Sequence, residues 1–112
     1  MPNQQIALDR VFHALSDPTR MAVLARLSDV PAALSELAQP FDMALPSFTQ
    51  HLRVLEDNGL VSSKKVGRVR TYSLKPEPLE AAGHWLEKRR RLWEQRLDQL
   101  DSYLVTMKEE NQ

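Results

Sequence analysis

The stretch Leu45–Val61, LPSFTQHLRVLEDNGLV, predicts a short helix with two different faces. Phe48, Leu52 and Leu55 recur at positions i, i+4 and i+7, which is the spacing of one buried helical face. A second face is mostly polar and has polar neighbours: Ser47, Gln50, His51 and Val54 on the face, with Thr49 and Arg53 beside it.

This second face suits the major groove of double-stranded DNA. Glutamine pairs bidentately with adenine, arginine pairs with guanine, and serine and threonine bind either bases or phosphates. Acidic side chains at the front of the helix would repel phosphates, and Glu56 and Asp57 come only at its end. A solvated face on a purely structural helix is the plainer alternative, so the neighbouring elements decide between the two.

Elements on both sides of the stretch favour DNA binding. A short helix around Leu34 to Gln39 ends at Pro40, and a turn then leads into the predicted helix, as in a helix-turn-helix. After Asn58-Gly59, a helix C-terminal signal, residues alternate with a period of two from Leu60 to Leu74. Gly67 interrupts that run, which predicts a two-stranded hairpin with a basic tip, the wing of a winged helix-turn-helix.

Positive charge is concentrated in the same region. The 112 residues carry no net charge, which argues against a nucleic-acid partner until the distribution is considered. Residues 44–75 carry six basic and two acidic side chains, a net charge of +4, whereas residues 1–43 and 76–112 each have a net charge of −2. A local basic patch of this kind is the electrostatic signature of a DNA-binding protein.

Length and composition predict one globular domain over residues 1–112. Residues 1–75 are expected to hold the N-terminal helices, the DNA-binding core and the wing, and residues 76–110 a long C-terminal helix. We expect a cytoplasmic protein without membrane contact, because the sequence has no recognisable signal peptide and no apolar run near the roughly 20 residues of a membrane span.

Two further helices are predicted before the short one. The first has an apolar stripe that consists of Ile6, Leu8, Val11, Phe12 and Leu15. Ser16 or Asp17 is expected to cap the second helix, whose first turn tolerates Pro18.

The C-terminal helix, predicted from about Glu77 to Met107, carries a seven-residue apolar repeat. The repeat consists of Leu79, Leu86, Trp93, Leu100 and Met107, with Leu97 and Leu104 at the intervening position. This pattern is typical of a helix that pairs with another helix. Packing against the first helix accounts for part of this surface, and we expect a second copy of the chain to cover the rest.

Three stretches resemble the ArsR/SmtB family of bacterial winged-helix repressors: FHALSDPTRMAVLARL, LSELAQPFDMALPSFTQHLRVLEDNGLV and GRVRTYSL. The resemblance implies a mainly α fold of five helices plus a two-stranded wing, dimerising through the first and last helices. It also implies a homodimer that binds an imperfect inverted repeat near a promoter and blocks transcription. Ala44 departs from the family, which usually caps this helix with serine or threonine.

The residue pattern and the resemblance together assign two sets of site residues. The expected DNA-binding residues are Ser47, Thr49, Gln50, His51, Arg53, Lys64, Arg68 and Arg70. The expected dimer-interface residues are Leu8, Val11, Leu86, Trp93, Leu97, Leu100 and Leu104.

Metal sensing is not expected. The family's metal sites use cysteines, which this chain lacks, or Asp and His early in the last helix with a later His-x-x-Glu pair. His84 and Glu87 have that spacing, but their upstream partners would fall near Thr71 and Ser73, in the wing. We therefore expect no metal and no cofactor, while the effector stays open between a small organic molecule, a partner protein and none.

No catalytic residues are expected, because the chain has no nucleophile–base arrangement and no glycine-rich phosphate loop. The alternative to a DNA-binding repressor is a winged-helix module that only binds proteins, with the basic wing contacting an acidic partner. Sequence-selective binding that weakens steeply with salt distinguishes the DNA binder from the interaction module.

Overall fold

The computed structural model describes residues 7–111, so the predicted apolar position Ile6 lies outside the described residues. The chain divides into two compact units, the first ending at Ala82 and the second beginning at Gly83. Its elements in chain order are α1 (Leu8–Leu15), α2 (Pro18–Leu27), β1 (Ala32–Ala33), α3 (Leu34–Ala38), α4 (Leu45–Asp57), β2 (Val61–Val66), β3 (Val69–Leu74) and α5 (Pro76–Glu110). The five predicted helices are confirmed.

α2 begins at a side-chain cap. The Oδ2 atom of Asp17 accepts a hydrogen bond from the backbone N–H of Arg20 at 3.0 Å, and Pro18 lies in the first turn. Of the two predicted caps, Asp17 is therefore the one used, whereas Ser16 ends α1. The cap satisfies a backbone donor that the helix itself cannot pair.

α4 ends in a Schellman motif. Gly59 has a φ of +75°, and its N–H donates to the carbonyl oxygen of Glu56 at 3.0 Å. The N–H of Leu60 donates to the carbonyl oxygen of Leu55 at 2.9 Å, and both leucine side chains are buried. At the other end, Ala44 gives α4 no side-chain cap, as predicted.

β2 and β3 form the predicted hairpin, with Gly67 at a φ of +63° in its turn. The prediction of two strands was incomplete, because β1 pairs antiparallel with β3 and gives the strand order β1-β3-β2. β1 consists of two alanines, and alanine has little preference for strands. Its pairing with Thr71 and Tyr72 therefore defines it, rather than any local pattern.

The hydrophobic core of the first unit includes the buried face of α4. Phe48, Leu52 and Leu55 have no exposed surface, as their spacing predicts. The ring of Phe48 packs against that of Phe41, with 5.3 Å between the ring centroids. These buried contacts determine which side of α4 remains available to a partner.

α5 begins in the first unit, where Pro78 and Ala82 are buried and Leu79 packs against the core. In the second unit, the described residues from 83 to 111 are all exposed except Glu87, which is half-buried. The predicted C-terminal helix is thus confirmed, and it spans the expected residues 76–110. None of the described helices has the length and apolar character that a membrane span requires.

Candidate nucleic-acid interface

The front of α4 carries a shallow, open surface lined by Leu45, Pro46, Thr49, Gln50 and Arg53. The first turn of α4 has no acidic side chain, and Glu56 and Asp57 come at the end of the helix. Amide, hydroxyl and guanidinium groups beside apolar carbon are the set that matches the hydrogen-bonding edges and thymine methyls of a DNA major groove.

Most of the predicted contacts on α4 are accessible. Ser47, Gln50 and Arg53 are exposed, and Thr49 is half-buried. Leu45 joins the same surface and is 53% exposed. Leu45 was not predicted as part of this surface, because it lies three residues before Phe48 and continues the spacing of the buried face, so that helical spacing alone predicts its burial.

Two members of the predicted polar face are half-buried and contact other parts of the protein. Val54 is half-buried and packs against the core. His51 is half-buried as well, with its Nδ1 atom 3.1 Å from Nη1 of Arg20 and 3.6 Å from Oδ2 of Asp17. His51 is thus bound to the start of α2 instead of standing free in solvent, and its DNA contact stays a prediction.

The carboxyl group of Asp17 is held in its ionised form. Partial desolvation acts to raise the pKa of Asp17, but the backbone N–H of Arg20, the electrostatic influence of the His51 and Arg20 side chains, and the backbone N–H of Thr19 outweigh it. The pKa of Asp17 is therefore lower than its ordinary value. Ionised Asp17 keeps the cap of α2 intact, close to the contact between α2 and α4.

The strand register assigns the wing residues to two faces. Ser63, Lys65 and Arg70 share a face with buried Tyr72, whereas Lys64 lies on the opposite face. Lys65 is paired directly with Arg70, whereas the predicted contact was its neighbour Lys64. Side chains alternate between the two faces of a strand, so a two-residue spacing from Val61 already predicts that Lys65, and not Lys64, shares the face of Val61.

A chain of hydrogen bonds joins this face of the wing to the end of α4. Nη1 of Arg70 donates to Oγ of Ser63 at 2.9 Å, and Oγ of Ser63 donates to Oε2 of Glu56 at 2.8 Å. Arg70 is thereby held against its own hairpin. Arg68, in the turn of the hairpin, is exposed.

The predicted dimer-interface residues differ between α5 and α1. The predicted residues on α5 are each at least 51% exposed: Leu86, Trp93, Leu97, Leu100 and Leu104. On α1, Leu8 is half-buried against the core, and Val11 is only 1% exposed. The assignment of Val11 was wrong, because a side chain inside the core of its own chain has no surface left for a second copy.

Within residues 7–111, no group of three or more histidine, cysteine or acidic side chains is placed to hold a metal ion. Glu87 is bound by Arg90 at 2.6 Å and lies 3.4 Å from Arg91. The hydrogen bond from Arg90 and the charges of both arginines lower the pKa of Glu87 to about 2. The carboxylate beside His84 is thus already paired with cations.

Comparison with known proteins identifies the family. A family model described as a helix-turn-helix domain matches residues 15–63. The HTH-type transcriptional regulator Rv2034 of Mycobacterium tuberculosis is 41% identical over 73 residues, which cover 65% of this chain and 68% of the relative. A crystal structure of an ArsR family transcriptional regulator has 55% identity and a TM-score of 0.74, over 78% of this chain and 90% of that one. The chain belongs to the ArsR family.

Two further similarities agree with this assignment. The transcriptional repressor SdpR of Bacillus subtilis is 30% identical over 79 residues, covering 70% of this chain and 88% of SdpR. An ArsR-like regulator from Rhodococcus sp. RHA1 has 34% identity and a TM-score of 0.68, over 83% of this chain and 88% of that one. The family and the winged helix-turn-helix fold predicted from the sequence are confirmed, and this ArsR-family protein is a transcriptional regulator rather than an enzyme.

Proposed function

We propose that this ArsR-family regulator is a repressor that binds double-stranded DNA as a homodimer, at an inverted-repeat operator in the cytoplasm. The observation that carries the proposal is the acid-free surface at the front of α4, where Thr49, Gln50 and Arg53 meet. In a helix-turn-helix, the second helix enters the major groove with its N-terminal residues at the base edges. The name of SdpR as a transcriptional repressor supports repression as the outcome.

Each side chain on this surface makes a different contact with the DNA. Gln50 pairs with adenine, and Arg53, one turn later on the exposed side, pairs with guanine. Ser47 and Thr49 bind a base edge or a phosphate. Leu45 contacts the methyl group of a thymine, the base feature that an apolar side chain recognises.

The wing supplies affinity more than specificity. Arg68 in the turn, with Lys65 and Arg70 on the face joined to α4, brings positive charge to the DNA backbone. Each phosphate neutralised adds about 0.9 to the magnitude of the slope with which log K falls as log[salt] rises. Lys64 lies on the opposite face, so Lys65 takes the role in DNA binding that was predicted for Lys64.

α5 provides the main contacts of the homodimer. Its residues in the second unit expose an apolar stripe, and exposed apolar patches mark interaction sites. Residues 83–96 carry five basic and two acidic side chains, a net charge of +3, whereas residues 97–110 carry one basic and four acidic, a net charge of −3. Antiparallel pairing of two copies sets opposite charges against each other, whereas parallel pairing sets like charges together.

We propose that this regulator acts without a metal. The absence of cysteine and the pairing of Glu87 with Arg90 and Arg91 support this. Stoichiometric zinc should change DNA affinity by no more than about twofold, far below the roughly 5–150-fold effect of a typical allosteric ligand. A larger loss that a chelator reverses would assign a metal site, and His84 with Glu87 would be the first residues to substitute.

Binding of the purified protein to the DNA upstream of its own gene tests the proposed function. That DNA should bind about a thousandfold or more tightly than scrambled DNA of the same composition, with affinity that falls steeply as salt rises. Equal binding to both DNAs would contradict the proposal. The basic wing would then favour the second function, a module that binds an acidic protein.

A further inference from the structure

The side chain of Arg20 connects three helices of the first unit. Its Nε–H donates to the carbonyl oxygen of Ala14 at 2.7 Å, and its Nη2 donates to that of His13 at 3.3 Å, both near the end of α1. Its Nη1 lies 3.1 Å from Nδ1 of His51 on α4. The guanidinium therefore holds the end of α1 and the start of α2 to the helix that is proposed to read DNA.

The chemistry of this contact determines where the proton of the histidine ring lies. Arginine has five N–H donors, no acceptor, and stays protonated, so Nδ1 of His51 can only accept in this hydrogen bond. Oδ2 of Asp17 is 3.6 Å from the same nitrogen, beyond hydrogen-bond distance. A hydrogen bond from Arg20 therefore requires an unprotonated Nδ1, with the proton of the neutral ring on Nε2.

The position of His51 suits a contact with the DNA backbone. Within the described part of the chain, the contacts of His51 with Arg20 and with Asp17 both involve Nδ1, which leaves Nε2 for a partner outside the chain. The side chain is 24% exposed, so it reaches the protein surface without projecting into a groove. Phosphate oxygens line the outside of the duplex, whereas base edges lie within the grooves.

We propose that Arg20 is a positioning residue for DNA binding, which holds His51 in its Nε2–H tautomer so that this group donates a hydrogen bond to a phosphate oxygen. The inference rests on the proposed function and extends it to a residue outside both α4 and the wing. Contacts to phosphate set the register and orientation of a protein on the duplex and carry no base information. The side chain of Arg20 thus acts on DNA binding without touching the DNA.

Nuclear magnetic resonance of the imidazole nitrogens tests the tautomer in the native protein. At about pH 8, where unperturbed histidine is neutral, His51 should show an unprotonated Nδ1 and a protonated Nε2. Arg20→Met removes the donors and should give a mixture of the two tautomers. Arg26→Met removes a positive charge from the same helix and should leave the His51 signals unchanged. A proton on Nδ1 of His51 in the native protein would overturn the proposal.

Two substitutions of His51 test the phosphate contact. Glutamine places an amide N–H near the position of Nε2, whereas asparagine places one near the position of Nδ1. His51→Gln should keep DNA affinity within about threefold, and His51→Asn should lose about tenfold, the loss of one charge-assisted hydrogen bond. The loss should be equal on the operator and on random DNA, and thermal melting should show both variants folded.

The outcomes separate this inference from the proposed function. If the native protein prefers its operator but His51→Asn binds as the native protein does, the phosphate contact is wrong and the proposed function stands. A loss by His51→Asn on the operator alone would also contradict a phosphate contact, since it would indicate contact with a base. Equal binding of the native protein to operator and random DNA would overturn the proposed function and the inference together.

Discussion

The two compact units use their apolar side chains in different ways. In the first unit, Phe48, Leu52 and Leu55 follow a helical period and are completely buried. In the second unit, Trp93 and Leu97 also belong to a periodic stripe, but they are 62% and 53% exposed. A periodic apolar pattern therefore closes a core in one region and stays accessible to solvent in the other.

α5 contains both situations within one helix. Leu79, the first member of its seven-residue repeat, packs against the core of the first unit, whereas Leu86 and Leu100 later in the same repeat are more than half exposed. The spacing of the apolar residues thus identifies which face of the helix is suited to burial. It does not tell whether the same chain or another chain covers that face. The first unit should consequently be stable by itself, whereas the stability of the second unit should depend on a partner.

Removing a core side chain should have the largest effect. Phe48→Ala leaves an empty site inside the first unit and should lower the free energy of unfolding by about 3–5 kcal/mol. Met21→Ala, at a position that is 56% exposed, is the control and should change it by less than about 0.5 kcal/mol. Urea unfolding of both variants measures the difference. If the two variants were equally stable, the buried side chain would contribute no more to folding than the exposed one, which would contradict the account.

A charge placed in the exposed stripe should separate the homodimer. The native protein should sediment at about twice its chain mass of 12.9 kDa at micromolar concentration. Leu100→Glu should sediment as a monomer, because the stripe would then have to bury an unpaired carboxylate. Ser102→Glu adds the same charge two residues later, on another side of the helix, and should stay dimeric. A monomeric native protein, or equal sedimentation of the two variants, would contradict a dimer through α5.

Substitution on the front of α4 should alter DNA reading without altering the fold. Gln50 is exposed, so Gln50→Ala should leave thermal melting unchanged while costing about 1–3 kcal/mol of binding to the operator. It should also relax the preference at one base pair in each half-site. Asp57→Asn, at the end of the same helix, should change affinity for operator and random DNA alike. Early melting of Gln50→Ala would show that this side chain supports the core instead.

Substitutions in the wing should have the smallest of these effects. The two faces of the wing should contribute unequally to DNA binding. Lys65→Ala should lower the salt slope of binding by about one unit, because Lys65 shares the face that is joined to α4. Lys64→Ala, one residue away on the opposite face, should change the slope much less. Titrations at several salt concentrations compare the variants, and a larger effect at Lys64 would reverse the assignment of the two faces.

Local signals predicted much of the fold. The cap at Asp17 and the helix end at Gly59 each depend on residues within a few positions, and both were recognisable in the sequence. β1 was not recognisable, because two alanines become a strand only by pairing with Thr71 and Tyr72, far along the chain. The part of the fold that was not predicted thus depends on contacts between residues far apart in the chain.

The candidate site divides in the same way. The exposure of Gln50 followed from helical spacing, whereas the contact of His51 with Arg20 joins residues that are 31 positions apart. Val11 has the same apolar character as the exposed leucines of α5, so sequence alone does not separate a buried residue from an exposed one. Burial in the folded chain makes that distinction.

Selection of bound sequences from a pool of random double-stranded DNA tests most directly whether one unit reads DNA while the other pairs two copies. The native protein should enrich an inverted repeat whose half-sites are about 10 base pairs apart, centre to centre, or a multiple of that distance. Leu100→Glu should enrich single half-sites weakly or not at all. Enrichment of no sequence by the native protein, or of an isolated half-site by both proteins alike, would contradict a DNA-reading homodimer.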